Sequence, residues 1–131
     1  MGEILGRNII SLDDMSIPEI EAIFETTDYI RENWKDYQRR AYGLIAATLF
    51  YEPSTRTRLS FEAAMQRLGG GTISTADASS SSSAKGESLS DTVRVVGSYA
   101  DILMIRHPWE GAAKLASQYS PVPIINAGDG R

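Results

Sequence analysis

Between Gly43 and the break at Tyr51-Glu52-Pro53-Ser54 lies an unbroken run, Leu44-Ile45-Ala46-Ala47-Thr48-Leu49-Phe50. It does not alternate between apolar and polar positions, so neither face is set aside for water. That is the pattern of a strand covered on both sides, as in a parallel sheet flanked by helices. The segments downstream fit the same architecture. Residues 57–68 read as a helix stopped by Gly69-Gly70-Gly71, and Thr72-Ile73-Ser74-Thr75 as a short strand. After a serine-rich loop over 76–86, Ser88-Leu89-Ser90-Asp91 has the capping-box pattern and opens a helix with Leu89, Val93, Val96 and Tyr99 on one face. Asp101 to Ile105 is a third strand, Gly111 to Tyr119 a small alanine-rich helix, and Val122-Pro123-Ile124-Ile125 a fourth strand.

Upstream, Ser16-Ile17-Pro18-Glu19 combines an N-cap serine, a first-turn proline and a capping-box glutamate. Ile20, Ile23, Phe24, Ile30, Trp34 and Tyr37 then recur mostly three or four apart, with acids between them, which predicts an amphipathic helix. The order is α followed by βαβαβαβ. The expectation is therefore an α/β fold: a parallel sheet of about four strands with helices on both faces, preceded by an N-terminal helix. The chain reaches Arg131 just after a strand's carboxyl end, where a helix and further strands would normally follow, so part of a larger unit is expected.

Composition narrows the chemistry. The 131 residues, 42% of them hydrophobic, suffice for one domain with its own core. No apolar run approaches the ~20 residues that span a bilayer. Met1-Gly2-Glu3-Ile4 lacks the basic region and apolar core of a signal peptide. Cysteine is absent and His107 is the single histidine, which removes disulfides, thiolate chemistry and any multi-histidine metal site within the chain. These features lead us to expect a soluble, cytoplasmic domain without metal or cofactor. The net charge of -4 is concentrated between Glu19 and Asp36, where six acids face only Arg31 and Lys35. The rest is balanced. No basic surface of the kind that nucleic acid requires is present.

Ligands of open parallel sheets bind beyond the carboxyl ends of the strands, here the segments 51–57, 76–87, 106–111 and 126–131. In the first, Pro53-Ser54-Thr55-Arg56-Thr57-Arg58 brings hydroxyls, backbone N–H groups and a guanidinium to a helix N-terminus, an arrangement suited to a phosphate. A well-capped helix with two surface arginines accounts for the same residues. Arg106 closes a buried strand and needs a partner: a ligand oxygen, Glu52 or Asp129. His107 beside it reads as a structural hydrogen bonder or, less simply, a catalyst. The stretch from Ser79 to Lys85 fits either a flexible linker or a ligand-covering lid.

The segment Phe50-Tyr51-Glu52-Pro53-Ser54-Thr55-Arg56-Thr57-Arg58-Leu59-Ser60-Phe61-Glu62 resembles the carbamoyl-phosphate signature of the transcarbamoylases. Further stretches resemble the aspartate rather than the ornithine branch of that family: Lys85 to Thr92, Arg106-His107-Pro108-Trp109-Glu110-Gly111-Ala112-Ala113, and Ile125-Asn126-Ala127-Gly128-Asp129-Gly130. The resemblance runs from about Gly6 to Gly130. It implies that residues 1–131 form a carbamoyl-phosphate-binding domain serving carbamoyl transfer to L-aspartate in pyrimidine synthesis. It further implies that Ser54, Thr55, Arg56 and Thr57 hold the phosphate and that Thr57 and Arg106 reach the carbamoyl oxygen. Arg56, Thr57 and Arg106 are then the catalytic set. Ser81 and Lys85 enter from the neighbouring subunit of a homotrimer, and Glu52 makes an ion pair to a second domain. Whether a regulatory subunit joins is left open. Two departures stand out. The loop has Ala84 where the family shows a basic residue, and the family's His-Pro-x-Gln stretch and aspartate-binding C-terminal domain lie outside the 131 residues. The chain alone is therefore expected to be inactive. The alternative is a phosphate-binding or interaction module that assembles with full-length catalytic chains.

Overall fold

Ser16 opens the first long helix as its neighbours predict. Its hydroxyl accepts from the Glu19 N–H at 3.2 Å, and the Glu19 carboxylate accepts from the Ser16 N–H at 2.8 Å. In the computed structural model, which describes residues 6–75 and 88–130, this helix (α1) spans Ile17–Glu32 and caps at Asn33. Trp34 and Tyr37, read from the sequence as its continuation, belong instead to a separate 3-10 turn, Trp34–Tyr37. At Asn33 the backbone leaves helical geometry, and its amide side chain donates to the Tyr29 carbonyl, closing the last turn.

The remaining elements are β1 (Ile45–Phe50), α2 (Thr55–Arg67), β2 (Gly71–Thr75), α3 (Leu89–Gly97), β3 (Ile102–His107), α4 (Ala112–Tyr119) and β4 (Ile124–Asp129). The four strands form one parallel sheet in the order β2-β1-β3-β4. Side chains of successive strand residues alternate between its faces, and two cores result. Ala47 and Leu49 of β1 and Leu103 and Ile105 of β3 pack with Val93 of α3 and with Ala113 and Ala116 of α4. Ala46, Phe50 and Met104 pack on the other face against Met65 of α2. The residues from Ala46 to Phe50 are all buried, as the unbroken run requires. The α/β expectation, with helices on both faces and a helix in front, is met.

Several boundaries differ from the sequence reading, among them the third strand, which spans Ile102–His107 and so takes in Arg106 and His107. The helix α2 begins at Thr55, not Thr57. Tyr99 lies beyond the end of α3 and is exposed, because the chain turns at Ser98 before the predicted face is complete. The fourth strand starts at Ile124 and continues through Asn126, Ala127 and Gly128 to Asp129. We read those residues as loop because they are typical turn formers; side-chain and cross-strand bonds keep them extended. Segment 8–10 runs beside β4: Ile9 bridges Ile125 in parallel, its N–H donates to the Ile124 carbonyl, and its carbonyl accepts from the Asn126 N–H. Arg7 ties the same segment to Glu19 of α1 by an ion pair.

At the end of α2, Gly69 adopts φ +84, and a Cβ there would lie 2.3 Å from the Gln38 carbonyl oxygen. Only glycine lets the chain turn so tightly against residues 38–39 before entering β2.

Candidate functional site

From β1 the chain crosses through α2 to β2 on one side, whereas from β3 it crosses through α4 to β4 on the other. The connections after β1 and β3 therefore diverge, leaving a crevice at the carboxyl ends of two adjacent strands. Phe50 and Arg106 are register partners there, and the Tyr51 N–H donates to the Arg106 carbonyl at 2.8 Å. The fold thus places the segment leading into α2 beside Arg106, bringing together two segments for which the sequence reading considered an anion.

Ser54 stands at the N-cap of α2 but makes no side-chain cap. Its hydroxyl donates to Thr57 Oγ1 at 3.0 Å. The first turn contains no acidic side chain, so the positive end of the helix dipole is not answered from within. Arg56 is exposed and has no ion pair or hydrogen bond among the described residues. Arg58, two positions on, donates to Ser74 Oγ on β2 at 3.1 Å. Of the two explanations the sequence left open, a well-capped helix with two surface arginines does not describe this geometry. The helix lacks a side-chain cap and one of its arginines is already engaged.

Across the crevice, Arg106 donates from Nη1 to the Ala127 carbonyl at 3.0 Å. Its Nε lies 3.8 Å from Glu52 Oε2, an ion pair but too long for a hydrogen bond. That Nε–H is buried and has no hydrogen-bond acceptor among the described residues. A buried guanidinium donor left open is costly unless something supplies an acceptor. Asp129, the other partner considered from the sequence, is engaged elsewhere: it accepts from the Gly111 N–H at 3.0 Å and from Asn126 Nδ2 at 3.2 Å.

His107 does not join this group. It is buried, and its Nδ1 accepts from the Trp109 N–H at 3.1 Å. Its ring packs between Tyr51 and Trp109, with centroids 4.9 and 5.4 Å away. Burial pulls its pKa below the ordinary 6.5, and the Asp129 carboxylate offsets part of that shift. The ring lines a cavity of about 620 Å³ together with Tyr51, Leu89, Trp109 and Leu115. These contacts are those of a structural hydrogen bonder.

Ser81, Lys85 and Ala84 lie outside the described residues. Among the described residues no group of three or more histidine, aspartate or glutamate side chains is arranged to hold a metal ion. No described helix is long and apolar enough to cross a membrane. Sequence reasoning assigned no role to Asn126, Ala127 or Gly128, which surround Arg106. The available signal was the glycine at 128: its φ of +130 is a backbone conformation that side chains rarely adopt.

Comparison with known proteins adds the following. Residues 7–131 match the family model described as aspartate/ornithine carbamoyltransferase, carbamoyl-P binding domain. The aspartate carbamoyltransferase catalytic subunit of Clostridium novyi is 58% identical over 125 residues, 95% of this chain and 41% of that protein. That of Picrophilus torridus is 56% identical over 127 residues, covering 95% of this chain and 42% of that protein. The catalytic subunit of M. jannaschii aspartate transcarbamoylase superposes with a TM-score of 0.87 at 56% identity, covering 95% of this chain and 41% of that one. Aspartate transcarbamoylase from Trypanosoma cruzi, solved with carbamoyl aspartate and phosphate, gives 0.87 at 37% identity, with 95% and 41% covered. The chain thus spans about 41% of the length of these relatives.

Proposed function

Since the chain belongs to the aspartate/ornithine carbamoyltransferase family, which it matches through the carbamoyl-phosphate-binding domain, we propose that its crevice binds carbamoyl phosphate and serves transfer of the carbamoyl group to L-aspartate. The observation that carries this reading is the pair of donors across the switch point that are unanswered among the described residues: the start of α2, without a side-chain cap and with Arg56 unpaired, and the Nε–H of Arg106. Ser54, Thr55, Arg56 and Thr57 hold the phosphate through N–H groups, hydroxyls and a guanidinium. Thr57 and Arg106 reach the carbamoyl oxygen. In the reaction the amino nitrogen of aspartate attacks the carbamoyl carbon, forming a C–N bond and placing negative charge on the carbamoyl oxygen. Collapse breaks the C–O bond to phosphate, which leaves with the bonding electrons, and the nitrogen gives up a proton. Charge builds on two oxygens, and fixed donors aimed at both stabilise the transition state more than the ground state.

In the same reading, Ser81 and Lys85 reach the site of a neighbouring subunit in a homotrimer. Glu52, 3.8 Å from Arg106 within this domain, also faces an aspartate-binding domain and forms an ion pair there. The relatives' names as catalytic subunits support the activity, and the alternative of a separate interaction module has no observation in its favour. Calorimetric titration with carbamoyl phosphate tests the site. We expect saturable binding without turnover by these 131 residues. Absence of heat from a demonstrably folded chain would show that this domain does not build the site by itself.

A further inference from the structure

Arg106 is aimed by a small network that the reaction scheme above does not use. Its Nη1 is held by the Ala127 carbonyl. That carbonyl's orientation is set one residue on, where the Gly128 N–H donates to Asn126 Oδ1 at 2.9 Å. The Asn126 amide is anchored in turn: Nδ2 donates to the Ile10 carbonyl at 3.0 Å and to Asp129 Oδ1 at 3.2 Å. Gly128 completes the arrangement from the other side. A Cβ at that position would stand 2.9 Å from Arg106 Nη1 and 3.2 Å from its Cζ, so the guanidinium occupies the space a side chain would need.

We propose that Asn126 is a positioning residue for Arg106: by holding 126–128 so that the Ala127 carbonyl grips Nη1 and glycine clears the way, it fixes where the remaining guanidinium donors point. This rests on the carbamoyl-phosphate reading of the crevice. There the phosphate is held by the start of α2, while Arg106 serves the carbamoyl oxygen. Loosening Arg106 therefore costs the distinction between carbamoyl phosphate and inorganic phosphate, not phosphate binding as such. A purely structural asparagine would lower stability and leave that ratio alone.

The test uses two readouts on the wild type, Asn126→Ala, Gly128→Ala and Arg106→Ala. In the unliganded protein, NMR of the arginine side chains is expected to show Arg106 guanidinium signals that are resolved and slowly rotating. In Asn126→Ala they average toward those of exposed Arg56. In titrations, Asn126→Ala and Gly128→Ala are expected to lose at least about tenfold of the preference for carbamoyl phosphate over inorganic phosphate. Arg106→Ala should lose it likewise, while phosphate affinity stays within about twofold. Arg106 signals unchanged in Asn126→Ala would overturn the proposal, and so would an unchanged preference in a wild type that has one. If Asn126→Ala does not fold, Gly128→Ala carries both readouts. If the wild type shows no preference and Arg106→Ala changes nothing, the carbamoyl-phosphate reading fails instead, and the NMR arm still decides the role of Asn126.

Discussion

Arg56 and Arg58 lie on the same helical turn, yet Arg58 is spent on Ser74 while Arg56 has no partner among the described residues. A free guanidinium at an uncapped helix start is where a charge-assisted contact to an anion is worth most. We expect Arg56→Ala to cost about 1.5–3 kcal/mol of phosphate or carbamoyl-phosphate affinity by calorimetry. Arg58→Ala should leave that affinity nearly unchanged, and an equal loss in both would place the anion elsewhere. His107 makes a different prediction. Its folded-state pKa is depressed by burial. As pH falls below 6.5 the unfolded chain therefore takes up a proton that the folded chain refuses, and stability declines. The contribution is fully present above that pH. Urea midpoints measured across this range should show the decline in the wild type and a flatter profile in His107→Asn, whose amide oxygen can still accept from Trp109. An identical slope in the variant would assign the pH dependence to other groups.

At the scale of elements, α1 has no fully buried residue, so local interactions at its ends matter more than for a helix clamped in a core. Ser16→Ala removes the hydroxyl half of the capping box and is expected to destabilise by about 0.5–2 kcal/mol in chemical denaturation. The Ser16 N–H, opposed by desolvation and helped by Arg7, holds the Glu19 carboxyl below 4.5. This helix start therefore weakens as pH drops from that value through the depressed one. Elements buried on both faces behave differently. Leu103→Ala, at a wholly buried site in the α3–α4 core, should cost about 2–5 kcal/mol. A much smaller loss would mean that the neighbouring strands collapse into the cavity. These contrasts also explain what the sequence disclosed. The strand β1 was legible because burial on both faces leaves an unbroken apolar run, and α1 because its cap is written in adjacent residues. The second half of β4 was not, since Asn126 is anchored by Ile10 and Asp129 by Gly111, both distant in the chain. A well-capped start of α2 looked plausible because segment 53–58 is rich in hydroxyls, yet the Ser54 hydroxyl goes to Thr57 Oγ1 rather than to a backbone N–H. The aim of Arg106 depends on Ala127, a contact created by strand register that no local pattern encodes.

For the molecule as a whole, the strand order sets what can face what. Among the described residues the connections diverge between β1 and β3, and there the sheet offers a crevice. The family reading then asks a neighbouring copy to complete it. If Lys85 belongs to the adjacent subunit's site, Lys85→Ala should weaken carbamoyl phosphate in assembled trimers, with assembly checked by sedimentation. Wild-type and variant chains held apart as monomers should bind alike. An equal loss in monomers would assign the lysine to its own crevice.

The pairing of segment 8–10 with β4 has a consequence for synthesis. Asn8 Oδ1 accepts from the Ile124 N–H, and Ile10 from Asn126 Nδ2, each across 116 residues of chain. A ribosome makes one partner first and the other more than a hundred residues later, so the early segment waits with its backbone groups unmatched until β4 emerges. Non-local pairing of this kind slows folding. Here it also makes β4 a checkpoint: until β4 is made, the Ala127 carbonyl that grips Arg106 is missing, and a nascent chain can form its central strands without yet holding Arg106 in place.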